Sequence, residues 1–455
     1  MKRPYVAFDL GATSWRVFLG WEEGSSFTLE EIFRKKHQPF EKDGGLFWDI
    51  EGIFRHMRRV LREVAEQGMQ PSAIGIDSWS VDYGLIDENG SLLETPRCYR
   101  DPRNQGMVLK LARSIGLDEL FLRSGVMCEE ITTLCQLIAA KQQTPTLLEN
   151  AQHLLFIPDL LRYWLCGNPA TDFTLASTSQ LYNLRHKDWD QDLFSRFDIH
   201  TEILPKIFYG STVLATLSEE LQRETGLGPV PITTGASHDT AAAFSTVRAD
   251  DSTVILSSGT WSMLGVHMTQ PVFSPEIDPE RFGYEGNPDG TFRFLCNIPG
   301  MWILEQCRLV WKRQGIPCSH TSLTESARLA VDCNSSIDPY DARFVLPEDM
   351  TDAVREYCRE TGQRVPESPG EITRAILRGL VHSYVKAIGE IEKIQQRKIR
   401  KLCIIGGGSR NQFLNHLIEE KTGVRVLKGW AEASTMGNVM NQKQALKNWD
   451  ASGLS

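Results

Sequence analysis

The sequence is poor in the features that place a chain quickly. Its ten cysteines include no C-x-x-C pair, and no two of its ten histidines stand three or four residues apart. That spacing argues against a zinc site and for reduced thiols. No apolar run approaches the length of a membrane span, and Asp9 interrupts the N-terminal run before a signal-peptide core can form. Positive charge is also short. With 49 Lys and Arg spread along the chain against 58 Asp and Glu, the net charge is −9, so neither nucleic acid nor an anionic membrane is an expected partner. A G-x-x-x-x-G-K-[ST] loop is missing, which removes the P-loop class. What remains is a cytoplasmic globular chain, and its 455 residues exceed one ordinary core, so two domains are expected.

Strands and helices alternate through the first half, which makes the class α/β. Tyr5 to Leu10 reads as a strand, Gly11-Ala12-Thr13-Ser14 as a turn, and Arg16 to Leu19 as a second strand. Asp49 caps a helix whose apolar stripe runs Ile50, Ile53, Phe54, Met57, Val60, Leu61 and Val64, ended by Gly68. A strand over Ala73 to Asp77 precedes a hairpin turned on Asn89-Gly90, with arms from Val81 to Ile86 and from Ser91. After a polar joint, V-R-A-D-D-S, the run T-V-I-L-S-S-G-T-W-S-M-L-G-V repeats the N-terminal logic of strand, small-residue turn and strand. An internal duplication is one reading, and two unrelated hairpins another. The expected domains are 1–246 and 247–455.

Four stretches carry chemistry. In D-L-G-A-T-S-W-R, small residues let backbone N–H groups approach an anion, Thr13 and Ser14 add hydroxyls, and Arg16 offers a planar fork to phosphate, or the stretch is an ordinary hairpin with a helpful glycine. Asp9, at a strand end, suits a hydrated magnesium ion. In G-G-G-S-R-N, three glycines suit a flat ligand laid against bare backbone, or tight packing alone. In T-T-G-A-S-H-D-T-A-A-A-F, Asp239 stands at a helix start, where an aspartate is a preferred cap and the helix dipole should keep it ionised. An ionised carboxylate beside a sugar hydroxyl also accepts its proton during phosphoryl transfer. His238 beside it is either a core histidine or a sugar partner. In I-D-S-W-S-V-D-Y, followed by Y-R-D-P-R, tryptophan beside carboxylates suits a sugar or an ordinary packed strand.

In this order, and with L-S-S-G-T-W-S, N-I-P-G-M-W and E-A-S-T-M-G-N, these stretches resemble the FGGY carbohydrate kinases over nearly the whole chain. The resemblance implies two actin-like (ribonuclease H-like) ATPase domains with the active site in the cleft between them. It implies sugar binding mainly on the first domain, and ATP with Mg2+ mainly on the second. The phosphate loop falls on Ala12, Thr13, Ser14, Trp15 and Arg16, the catalytic aspartate on Asp239, and the metal-positioning carboxylate on Asp9. The sugar side falls on Trp79, Ser80, Asp82, His238, Thr240 and Asn297, and the remaining nucleotide side on Thr260, Glu305 and Gly407. The implied reaction moves the γ-phosphoryl group of ATP to a ketose hydroxyl, foremost the 1-hydroxyl of L-rhamnulose. Another deoxy-ketose such as L-fuculose, or a sensor that binds sugar without turnover, are the alternatives. A monomer or a homodimer is expected. Three departures bear on the site: Trp15 and Ser80 replace family glycines, one beside the phosphates and one beside the sugar, and Glu305 replaces a glutamine near the nucleotide. The chain also stops at Ser455, soon after E-A-S-T-M-G-N, where relatives continue with a helical tail.

Overall fold

The computed structural model describes residues 3–24 and 26–452; the outermost residues of the expected domain ranges, Ser455 among them, lie outside the described residues. Two six-stranded mixed sheets organise the chain. The first contains β1 (Tyr5–Leu10), β2 (Ser14–Glu23), β3 (Ser26–Lys36), β4 (Ala73–Ser78), β5 (Thr212–Thr216) and β6 (Pro231–Thr234), in the order β5-β6-β4-β1-β2-β3. The second contains β7 (Thr253–Ser258), β8 (Ser262–Met268), β9 (Phe282–Gly286), β10 (Phe292–Ile298), β11 (Lys401–Ile405) and β12 (Arg425–Lys428), in the order β9-β10-β8-β7-β11-β12.

The two sheets share a plan. In each, the first strand forms an antiparallel hairpin on one side and a parallel pair on the other: β1 with β2 and β4, and β7 with β8 and β11. Gly11 N donates to Ser14 O (3.0 Å) in one turn and Gly259 N to Trp261 O (3.1 Å) in the other. The repeated pattern in the sequence is therefore a repeated geometry. The central strands are buried on both faces, so they read as continuous apolar runs whose polar residues gather at the C-terminal ends: Asp9, Asp77 and Ser78 in one sheet, Ser257 and Ser258 in the other.

Helix α1 (Ile50–Glu66) is capped as expected, with Gly52 N donating to Asp49 Oδ1 (2.9 Å), and it buries the expected stripe except Phe54, which is half-buried. The hairpin on Asn89-Gly90 is only partly formed. Its strand begins at Tyr83 and pairs along its length with His153–Phe156, while the returning arm touches it through one bridge, Ile86 to Leu92. Val81, with φ of 71°, breaks the expected first arm.

Two helices knit the sheets together. Helix α2 (Asp239–Ser245) follows β6 of the first sheet, yet packs Ala243 and Phe244 against Ile255, Cys403 and Ile405 of the second. Helix α3 (Ala433–Ser452) reciprocates, packing Met436 and Val439 against Tyr5, Ala7, Phe27 and Ala73 of the first. E-A-S-T-M-G-N, legible in the sequence only as a small-residue stretch, opens this helix. Small side chains are what let α2 and α3 approach: a Cβ on Gly437 would stand 1.8 Å from the carbonyl oxygen of Ala242.

Candidate active site

Three carboxylates converge where these elements meet. Asp9 on β1 and Asp77 on β4 are register partners across the parallel pair, and Asp239 is the first residue of α2. Asp9 Oδ2 accepts from Arg16 (2.6 Å), Ser434 (3.0 Å) and Thr435 (2.5 Å). Arg16 turns its other nitrogen to Glu432 (2.6 Å), which Arg410 also contacts (3.2 Å). The first turn of α3 is thus tied to the end of β1. Asp77 is fully buried; Oδ2 accepts from Asn438 (2.6 Å) and Oδ1 has no partner. Burial first, and then the charge of Asp9, push its carboxyl well above the usual range.

Asp239 keeps 32% of its side chain exposed, and Thr240 Oγ1 donates to it (3.2 Å). Burial first, then Asp9, raise its carboxyl to about 7. Two expectations are corrected here. The N-cap of α2 is His238, not Asp239. And a seven-residue helix does not outweigh burial and a neighbouring charge, so Asp239 is not held firmly ionised at neutral pH.

The loop before α2 hangs from one buried acceptor. Asp172 Oδ2 accepts from Thr234 Oγ1 (3.0 Å), Gly235 N (3.1 Å), Ser237 N (3.1 Å) and Ser237 Oγ. Burial alone would raise this carboxyl, but Arg162 and these donors hold it below the usual range. Arg162 also donates to Ser237 and Asp159. His238 is buried, and its Nδ1 accepts from Arg293 (2.8 Å).

Around the Trp79 motif, His37, Trp48 and Trp79 form an aromatic cluster with centroids 4.6 to 5.5 Å apart. A cavity of about 550 Å³ opens beside it, lined by Ala12, Thr13, His37, Trp48, Tyr99 and Arg100 among others. Asp82 does not reach that cavity as a free ligand. Its Oδ2 accepts from both indoles, Trp48 (2.6 Å) and Trp79 (3.0 Å), and its Oδ1 from Gln136 (3.1 Å). Fully engaged inside the fold, Asp82 orients the tryptophans instead, and burial raises its carboxyl to about 7. Asp82→Ala strands two buried indole N–H groups, so denaturation should show a loss of roughly 3 kcal/mol. Ser80 is half-buried, and the left-handed backbone falls on its neighbour Val81, whose carbonyl is clamped by Thr133 (2.8 Å) and Gln136 (3.2 Å). Such a conformation in a β-branched residue is strained and persists only where neighbours impose it.

In the second sheet, Thr260 is exposed in the hairpin turn, and its carbonyl accepts from Trp302 N (3.0 Å) at the start of helix α4 (Trp302–Arg313). Glu305 on α4 is paired with Arg308 (2.6 Å), which offsets the carboxylate that stands where a neutral amide was expected. In the triple glycine, Gly406 has φ of 78°, and a Cβ on Gly408 would lie 2.0 Å from Ser258 Oγ. Backbone conformation explains the first and packing the second. Gly407 is exposed and a Cβ there meets open space, so packing does not account for it. Asn297 has a buried Oδ1 without a partner and pairs in register with Met263, whose sulfur takes Thr240 Oγ1 (3.4 Å). Thr13 is exposed and Ala12 and Ser14 half-buried, but Trp15 turns the other way. Strand alternation sends its indole, 1% exposed, into the core against Phe33 (4.5 Å), opposite Arg16. The indole therefore lies in the core and not in the turn at Ala12 to Ser14.

The structure also brings in residues that the sequence did not single out: Asp77, Asp172, Ser434, Thr435, Glu285 and Arg293. Asp77 and the Ser434-Thr435 pair lay within quoted motifs, whereas Asp172 and Arg293 carry no local signal. Among the described residues, no group of three or more His, Cys, Asp or Glu is set to hold a metal ion, and no helix is long and apolar enough to cross a membrane.

Two sheets of one plan, with Asp9, Asp77 and Asp239 as neighbours where they are knit together, match a known class of enzyme. Residues 4–245 match the family model of the N-terminal domain, and residues 254–446 that of the C-terminal domain, of the FGGY family of carbohydrate kinases. The chain belongs to this family and is a sugar-phosphorylating transferase. It is 39% identical to the rhamnulokinase of Bacteroides thetaiotaomicron over 97% of this chain and 90% of that protein. It is 33% identical to the rhamnulokinase of Oceanobacillus iheyensis over 99% and 95%. Its fold resembles xylulose kinase from Lactobacillus acidophilus (TM-score 0.82, 18% identity, 98% of this chain and 90% of that one). It also resembles Plasmodium falciparum glycerol kinase with ADP (TM-score 0.80, 16% identity, 99% and 90%).

Proposed function

We propose that this kinase transfers the γ-phosphoryl group of ATP to the 1-hydroxyl of L-rhamnulose, with Asp239 as the general base. The observation that carries the reading is Asp239 itself: a part-exposed carboxylate raised to about 7, beside His238 and near Asp9 at the end of β1. The rhamnulokinase relatives support the choice of sugar. Asp239 takes the hydroxyl proton as the oxygen–phosphorus bond forms and the bond to the departing ADP oxygen breaks. A base with a pKa near the working pH combines availability with proton affinity.

The sugar lies against the Trp48 and Trp79 region, with Ser80, His238, Thr240 and Asn297 around it. Asn297 Oδ1, buried and unpartnered, suits a sugar hydroxyl. The phosphates lie between the turns at Ala12 to Ser14 and at Thr260, with the adenosine over Gly407. Arg16 acts through Asp9 and Glu432 on the geometry of this region. Magnesium carried by ATP would offset phosphate charge, and Asp9, whose hydrogen bonds all fall on Oδ2, leaves Oδ1 to hold it through water. Closure of residues 1–246 on 247–455 excludes water, against which ATP would otherwise be lost. ATP as the donor places the reaction in the cytoplasm. Because Trp15 is buried in the core and Glu305 is paired, two of the departures favouring a sensor without turnover lose their force.

Gly407→Val should fold normally, since its Cβ enters open space, and should raise KM for ATP about tenfold while leaving KM for sugar unchanged. Such a change corresponds to about 1.4 kcal/mol of lost binding. ADP release measured over a panel of ketoses, aldoses and polyols tests the function. Highest kcat/KM is expected with L-rhamnulose; a clear preference for L-fuculose or xylulose overturns the substrate, and no turnover with any sugar overturns the kinase reading.

A further inference from the structure

We infer that Arg293 and Glu285, both from the second sheet, fix the ring of His238 in the tautomer that presents an Nε2–H donor to the sugar. They are positioning residues for recognition of an acceptor oxygen next to the attacked hydroxyl. The role at the sugar rests on the kinase reading above; the tautomer does not.

The argument starts from what a guanidinium can do. It only donates, so the 2.8 Å contact from Arg293 Nη2 to His238 Nδ1 requires an unprotonated Nδ1. The single proton of the neutral ring then sits on Nε2. Arg293 is fully buried and held by Glu285 Oε2 (2.5 Å), the carbonyl of Gly286 and Asn287 Oδ1 (3.4 Å). Burial, opposed by the charge of Glu285 and assisted by that of Arg293, lowers the His238 ring to about 4, so it stays neutral at working pH.

Glu285 makes the choice a real one. Its Oε2 lies 3.5 Å from the same Nδ1. Without the guanidinium, this carboxylate would accept an Nδ1–H and turn the ring into the opposite tautomer. The lone pair of Nε2 would then face the side of Asp239. Nε2 is 3.4 Å from Asp239 Oδ1, too long for a good hydrogen bond but on the same side. A substrate whose hydroxyl reaches Asp239 therefore brings its neighbouring oxygen to Nε2. In a 1-phosphorylated ketose that neighbour is the oxygen on C2, which accepts a hydrogen bond as ketone or as hydroxyl.

The test uses the full-length enzyme with 15N-labelled histidine, His238 being assigned by loss of its signal in His238→Gln. Parent protein and Arg293→Lys, which keeps a donor-only cation, should show a pyridine-type Nδ1 and a pyrrole-type Nε2–H. Arg293→Met should show the reverse, with KM for L-rhamnulose up about tenfold and KM for ATP unchanged. Should Arg293→Met not fold, Arg293→Met with Glu285→Met removes both charges and should give mixed tautomers with the same rise in KM. An Nδ1–H in the parent overturns the inference. So does a folded variant lacking Arg293 that keeps both the single Nε2–H tautomer and the parental KM. A parent that binds or phosphorylates no rhamnulose would overturn the function while leaving the tautomer result standing.

Discussion

Asp239→Asn is expected to lower kcat about a hundredfold or more, the usual range for a lost general base, while the protein stays folded. The parent should show an acid limb in kcat/KM near pH 7, because Asp239 titrates at about 7 and must be unprotonated to accept the hydroxyl proton. Activity therefore falls as the pH drops through that value, and the residual activity of the Asn variant should lack this limb. The same shift acts on stability with a definite sign. The folded carboxyl sits above its ordinary value of 3.8, so between pH 4 and 7 the native state holds more protons than the unfolded chain. Its stabilising contribution is present on the acid side and is lost as pH rises through about 7. At pH 8 the parent carries the cost of a part-buried anion beside Asp9, and Asp239→Asn should melt higher than the parent. A pH-rate profile and melting curves at pH 5 and 8 check both parts.

Gly437→Ala is the second change with a large expected effect. The added Cβ would meet the oxygen of Ala242 at 1.8 Å and its carbonyl carbon at 2.4 Å. These are backbone atoms, so the contact is relieved only by separating α2 from α3. Unfolding should show a loss of roughly 3 kcal/mol, the upper part of the range for overpacking. The chemistry should suffer too, because α2 begins with Asp239 and α3 carries the Ser434 and Thr435 that hold Asp9. Gly389→Ala is the control. It lies in the long helix Pro369–Gln395, where an added Cβ would have nothing within 4 Å, so chemical denaturation should find it neutral or slightly stabilised.

The elements legible in the sequence were those written in local periodicity and capping. The stripe of α1 follows from steps of three and four. The duplicated hairpins were visible as paired turns. What was not legible is where one part of the chain leans on another. Nothing near Asp172 says that it receives the loop of Ser237, 65 residues away. Nothing near Arg293 says that it reaches His238. Side-chain direction was the other blind spot. Motif position put Trp15 beside the phosphates and Asp82 at the sugar, while strand alternation and two indole donors take both inward. The carboxyl of Asp239 was misjudged for a related reason: its helix is local, but the burial that opposes ionisation, and after it the charge of Asp9 on β1, come from other parts of the chain.

The central claim is that Asp239 activates the 1-hydroxyl of L-rhamnulose toward ATP. Phosphorus-31 NMR of the products from parent and Asp239→Asn enzyme, each given L-rhamnulose and ATP with magnesium, tests it most directly. The account predicts a phosphomonoester on C1 with the parent and at most about a hundredth of its rate with the variant. Phosphate on another carbon, no sugar phosphate from the parent, or a variant nearly as fast as the parent would contradict it.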